Sequence, residues 1–79
     1  MANTHMLMEE SFKDIKNEYG ILRCYADNTF TMFKKYMTLD RLFADEKNLF
    51  SLIVNQGFRM KNKQYLSSDD GWLLKVDLY

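Results

Sequence analysis

The last eight residues alternate. Trp72, Leu74, Val76 and Leu78 share one side of the chain, and Leu73, Lys75, Asp77 and Tyr79 share the other. A period of two is that of a β-strand, with successive side chains on opposite faces. Residues 58–66 form a second extended run just upstream. Ser67-Ser68-Asp69-Asp70-Gly71 lies between them as a loop, with Gly71 supplying a positive φ. A C-terminal hairpin is therefore expected.

Residues 39–56 read as a helix. Leu42, Phe43, Leu49, Phe50 and Ile53 form a wide apolar stripe of helical period, and Gly57 stands where a helix C′ residue would. Asp45 is an alternative cap for a second helix starting at Glu46, which would give a helix–kink–helix. Upstream, Met8, Phe12, Ile15 and Tyr19 fall at i, i+4, i+7 and i+11. Glu9 and Glu10 stand in the first turn, and Gly20 follows as a stop. This predicts a first helix over residues 8–19. Residues 21–26 and 29–33 are β-rich around the turn pair Asp27-Asn28, which predicts a short hairpin. A helix from Asn28 or Thr29, with Phe30, Phe33 and Met37 on one stripe, competes with it. The expected fold is a single α+β domain over residues 6–79 in the order α-β-β-α-β-β. Residues 1–5 are a polar tail or a cloning remnant, set apart by His5-Met6.

Composition limits the chemistry. Eleven Lys and Arg balance eleven Asp and Glu, so the formal charge is zero, which argues against a polybasic nucleic-acid module. A single cysteine, Cys24, excludes an internal disulfide and suits a reducing cytoplasm. One His and one Cys fall short of the four ligands a zinc site usually takes. Met6-Leu7-Met8 is too short for the apolar stretch of a signal peptide, and no run is long enough to span a bilayer. His5 has no carboxylate or thiol nearby in sequence, and Cys24 has only Arg23 to lower its pKa. Asp69, Asp70 and Asp77 lack the alternating spacing of a calcium loop. No catalytic residue, metal ligand or cofactor is assigned, and the chain is expected not to be an enzyme.

Two surfaces remain. Arg59, Lys61 and Lys63 share one strand face by the two-residue period. A helix followed by a basic hairpin is the order in which a winged helix touches DNA backbone. Asp69-Asp70 at the hairpin tip and the neutral net charge weigh against it. The second surface is the pair of Leu-Phe dipeptides within Thr38-Leu39-Asp40-Arg41-Leu42-Phe43 and Glu46-Lys47-Asn48-Leu49-Phe50. Each resembles the short extended peptide by which bacterial replication proteins dock on the sliding clamp, in which a Leu-Phe pair fills an apolar pocket. Neither has the leading Gln of that pattern, and Arg41 stands as an insertion in the first. The resemblance implies Leu39, Leu42, Phe43, Leu49 and Phe50 as partner-binding residues.

Proline is absent and only three glycines occur, while Phe, Tyr, Met, Asn and Lys are abundant. These are residues of A/T-rich codons. In size and codon character the chain resembles small phage-encoded inhibitors of host replication or transcription. The expected function is thus a non-enzymatic protein-binding regulator in the cytoplasm of a low-GC bacterial host, with the sliding clamp as its most specific partner. A winged-helix-like nucleic-acid binder is the alternative. A core this small, without disulfide or metal, also points to a homodimer, with the C-terminal strand as the pairing edge.

Overall fold

Among the described residues five strands form one antiparallel sheet, and one helix lies across one of its faces. The computed structural model describes residues 12–79. The elements run β1 (Phe12–Asn17), β2 (Gly20–Tyr25), β3 (Phe30–Tyr36), α1 (Leu39–Asn55), β4 (Met60–Ser68) and β5 (Gly71–Leu78). The strand order across the sheet is β1-β2-β3-β5-β4. The α+β class stands, but the order is β-β-β-α-β-β. The tail of residues 1–5 and His5 lie outside the described residues.

The core follows from the two periods. Leu74, Val76 and Leu78 project from one face of β5, and Met32 from the same face of β3, opposite Val76. Leu42, Leu49 and Ile53 descend from α1 onto them, and all seven are buried. Fully burying each such side chain contributes about 2 kcal/mol. Both ends of α1 are closed. Thr38 is the N-cap, its Oγ1 accepting from the Arg41 N–H at 3.2 Å. Gly57 N–H donates to Val54 O at 3.0 Å and Phe58 N–H to Ile53 O at 3.2 Å. That pair is a Schellman closure, with Gly57 at φ 94°. The helix runs through Asp45 without a break, so no second helix starts at Glu46.

The first helix is corrected to a strand. Residues 12–17 pair with β2 from Phe12↔Tyr25 to Asn17↔Gly20. Gly20 closes a hairpin rather than stopping a helix, and Asn17 Oδ1 accepts the Tyr19 N–H at 2.8 Å across the turn. Within residues 12–19 the apolar stripe is only Phe12, Ile15 and Tyr19, too few to outweigh a ladder of backbone hydrogen bonds. Met8 lies outside the described residues. The next hairpin is the expected one. Asp27 Oδ1 accepts from Thr29 N–H at 3.0 Å, and Asn28 takes the left-handed conformation at φ 66°. The second arm extends to Tyr36, so the competing helix is absent.

The C-terminal hairpin also forms, with a turn confined to Asp69-Asp70. Its last strand is not an edge. β5 lies between β3 and β4, so the pairing edge expected there does not exist. Three apolar residues on one side of β5 draw it inward to the middle of the covered area. Among the described residues the edges are β1 and β4.

Gly20 (φ 120°) and Gly71 (φ 143°) open the two strands that flank β3. A Cβ at Gly20 would collide with Phe33 O, and one at Gly71 with Tyr36 O. Gly57 has open space around it. Gly57→Ala should therefore cost about 1–2 kcal/mol of left-handed strain. Gly20→Ala and Gly71→Ala should cost clearly more, because backbone must move. Urea unfolding of the three variants checks the ranking, and equal losses would contradict it.

Candidate interaction surface

The helix-covered face of the sheet is fastened at its rim by polar anchors. Tyr36 donates from its hydroxyl to Asp45 Oδ2 at 2.6 Å, and Lys34 Nζ lies 3.2 Å from the same oxygen. Tyr65 donates to Glu46 Oε2 at 2.7 Å, and Lys63 Nζ approaches that oxygen at 3.8 Å. The hydrogen bond from Tyr36, helped by the Lys34 charge, holds the Asp45 carboxyl below its ordinary value against the opposing pull of burial. Burial first, then the Asp45 carboxylate, pushes the Tyr36 phenol up. The acidic residues in the middle of α1 are thus tied down to β3 and β4.

Among the described residues the opposite face carries no helix. The register places Phe12, Asp14 and Lys16 of β1 on it, then Ile21, Arg23 and Tyr25 of β2, then Thr31, Phe33 and Lys35 of β3. Leu73, Lys75 and Asp77 of β5 continue it. Arg23 is its centre. Its Nε donates to Asp14 Oδ1 at 2.8 Å and its Nη2 to Oδ2 at 3.1 Å. Its guanidinium carbon lies 4.2 Å from the ring centre of Phe12 and 5.2 Å from that of Phe33. The fork geometry suits a carboxylate, and the planar cation suits an aromatic face. The hydrogen bond to Arg23 holds the Asp14 carboxyl low, and the bond to Asp14 raises Arg23. Beside this clasp, Thr31 is buried at 3% exposure. It donates to Asp77 Oδ1 at 3.0 Å and shares a hydrogen bond with the Tyr25 hydroxyl at 3.2 Å. Every buried side-chain polar atom among the described residues has a partner.

The Leu-Phe pairs are divided by the helix. Leu42 and Leu49, at 0% and 3% exposure, belong to the core and present no surface to a partner. Leu39 and Phe50 are half-buried against that core. Phe43 alone is exposed, its ring edge-to-face with Tyr65 at 5.4 Å. A peptide that docks in extended form with both Leu and Phe free is not available here, because α1 holds the segment coiled.

Arg59, Lys61 and Lys63 do not share a face. The register of β4 shifts between Met60 and Asn62, and such a bulge resets the alternation. Lys63 lies opposite Val76 on the helix side, 5.1 Å from the Phe50 ring. Arg59 and Lys61 gather instead around the ring of Tyr79, at 5.6 and 5.8 Å. The hairpin is built into the sheet and one helix is present among the described residues, so the winged-helix arrangement is corrected as well. Asp70 of its turn is held by Lys35 and Ser68.

Cys24 is half-buried on the helix side of β2. Among the described residues no three His, Cys, Asp or Glu side chains gather as metal ligands would. No helix there is long and apolar enough to cross a membrane. A groove of about 310 Å³ runs between the end of α1 and β2, lined by Leu22, Met32, Ile53 and Phe58 among others. Comparison with protein-family models, curated sequences and solved structures gave no match.

The Asp45 anchor sets an acid limb. A carboxyl whose pKa falls on folding adds stability that is present above its unfolded value. That stability is lost as pH drops through the folded value. Asp45→Asn should therefore lower the melting temperature at pH 7, and the gap from wild type should narrow as pH falls below about 4. Thermal melts across that range read it, and a gap constant with pH would refute the anchor.

Proposed function

We propose that this chain is a protein-binding regulator with no chemistry of its own, and that it presents the helix-free face of its sheet. The observation that carries this reading is the Arg23 clasp, held between Phe12 and Phe33 with Asp14 beneath it. Arginine and aromatic residues are enriched where proteins meet, and they dominate the energetics of such contacts. An arginine already oriented by a carboxylate and two rings loses little freedom on binding. Ile21, Phe33 and Leu73 supply half-buried apolar area beside it. The codon character supports a phage or low-GC bacterial source. A host replication or transcription protein is then the kind of partner, with the sliding clamp the first to try. A clamp bound by this chain would meet the sheet face, since Leu42 is closed inside the core.

Purified clamp, and host lysate treated with nuclease, should be offered to wild type, Arg23→Ala, Phe33→Ala and Phe43→Ala. Loss of a hot spot costs about 2 kcal/mol or more, roughly thirtyfold in affinity. The first two substitutions should abolish capture of the partner while circular dichroism stays unchanged, and Phe43→Ala should retain it. If Phe43→Ala alone loses the partner, the interface lies on the helix and the reading fails. Binding that disappears with nuclease would favour nucleic acid instead, held by Arg59 and Lys61 beside the stacking ring of Tyr79.

A further inference from the structure

We propose that two copies of this chain join along β1, antiparallel about a two-fold axis through Ile15. The two sheets would then continue as one.

The two edges of the sheet differ. β4 carries a bulge, and a bulged edge is a poor template for another strand. β1 pairs with β2 over six consecutive positions without a shift, contains no proline, and is exposed at every residue. Its outer side is thus a regular row of backbone donors and acceptors. α1 packs over β3 and β5 rather than over β1, and only its C-terminal end nears the β1–β2 turn, so a second sheet can run on past the middle of β1.

The charges on β1 select both the partner and the register. Two-fold strand pairing keeps side chains of one face together, so only alternate registers are possible. Centring on Asp14 sets Asp14 against Asp14. Centring on Lys13 or Lys16 sets lysine against lysine. Centring on Ile15 sets Asp14 against Lys16 of the second copy, twice over, and Lys13 against Asn17. This register places no like charges opposite, and opposite-charge pairs across strands are stabilising. Each Asp14 oxygen accepts a single N–H from Arg23, which leaves acceptor capacity for a lysine. On the helix side the pairing covers Ile15, an apolar residue 43% exposed here.

A two-fold axis perpendicular to the sheet puts both helices on one side and both Arg23 clasps on the other, next to each other. The contact is one short strand, below the size of a standard interface, so dimerisation should depend on concentration. It holds whatever the open face binds.

Light scattering at rising concentration should show the mass moving from 9.5 kDa toward twice that value. Lys16→Glu sets two acids opposite two acids, and should move the transition to about tenfold higher concentration. A second pair of variants, in a Cys24→Ser background, reads the register. Ile15→Cys should form a disulfide between copies on mild oxidation. Lys13→Cys should not, because its two copies would stand four residues apart along the strands. A mass of 9.5 kDa at every concentration would overturn the proposal. So would a Lys16→Glu protein that dimerises like wild type, or cross-linking at position 13 rather than 15.

Discussion

The burial of Leu74, Val76, Leu78 and Met32 under Leu42, Leu49 and Ile53 is the contact on which the molecule depends. It joins β3 to β5, strands separated in sequence by the whole of α1 and β4. Without it the chain would be a three-stranded meander, a helix and a separate hairpin, and a hairpin alone is at best marginally stable in water. The same contact draws the last strand into the sheet, sends β1 and β4 to the rims, and holds the Leu-Phe segments coiled.

It also makes the two faces unequal. Among the described residues one helix covers one side of a five-stranded sheet and reaches mainly β3 and β5. Its rim acids are taken up by Tyr36, Lys34 and Tyr65, so the helix side is closed by hydrogen bonds as well as by packing. The other side settles its polar groups within itself, as Arg23 with Asp14 and Thr31 with Asp77. Those bonds leave the rings of Phe12 and Phe33 and the flanking apolar residues facing outward around a fixed cation. An ordered face of that composition is what the protein-binding reading rests on.

Much of this was legible in the sequence where periodicity was long. The eight alternating residues at the C-terminus and the apolar stripe of residues 39–56 each span enough positions to identify their element. Gly57 and the Asp27-Asn28 pair carry turn chemistry that acts locally. Residues 12–17 were not legible, because three apolar positions fit a helical stripe as well as a strand. What decides them is pairing with β2, a tertiary effect absent from local pattern. The clasp went unseen for a related reason: Phe12, Asp14, Arg23 and Phe33 come from three strands, and only their register brings them together. An odd-numbered basic run, Arg59, Lys61 and Lys63, pointed to one face, and a single bulge dispersed it.

The central claim is that α1 covers one face of the sheet and leaves the other open. Nuclear Overhauser contacts among methyl and aromatic ring protons test it most directly. Leu42, Leu49 and Ile53 should show contacts to Leu74, Val76 and Leu78, while Leu73 and Phe33 should show none to the helix. Contacts from α1 to Leu73 or Phe33 would place the helix on the wrong face and contradict the account.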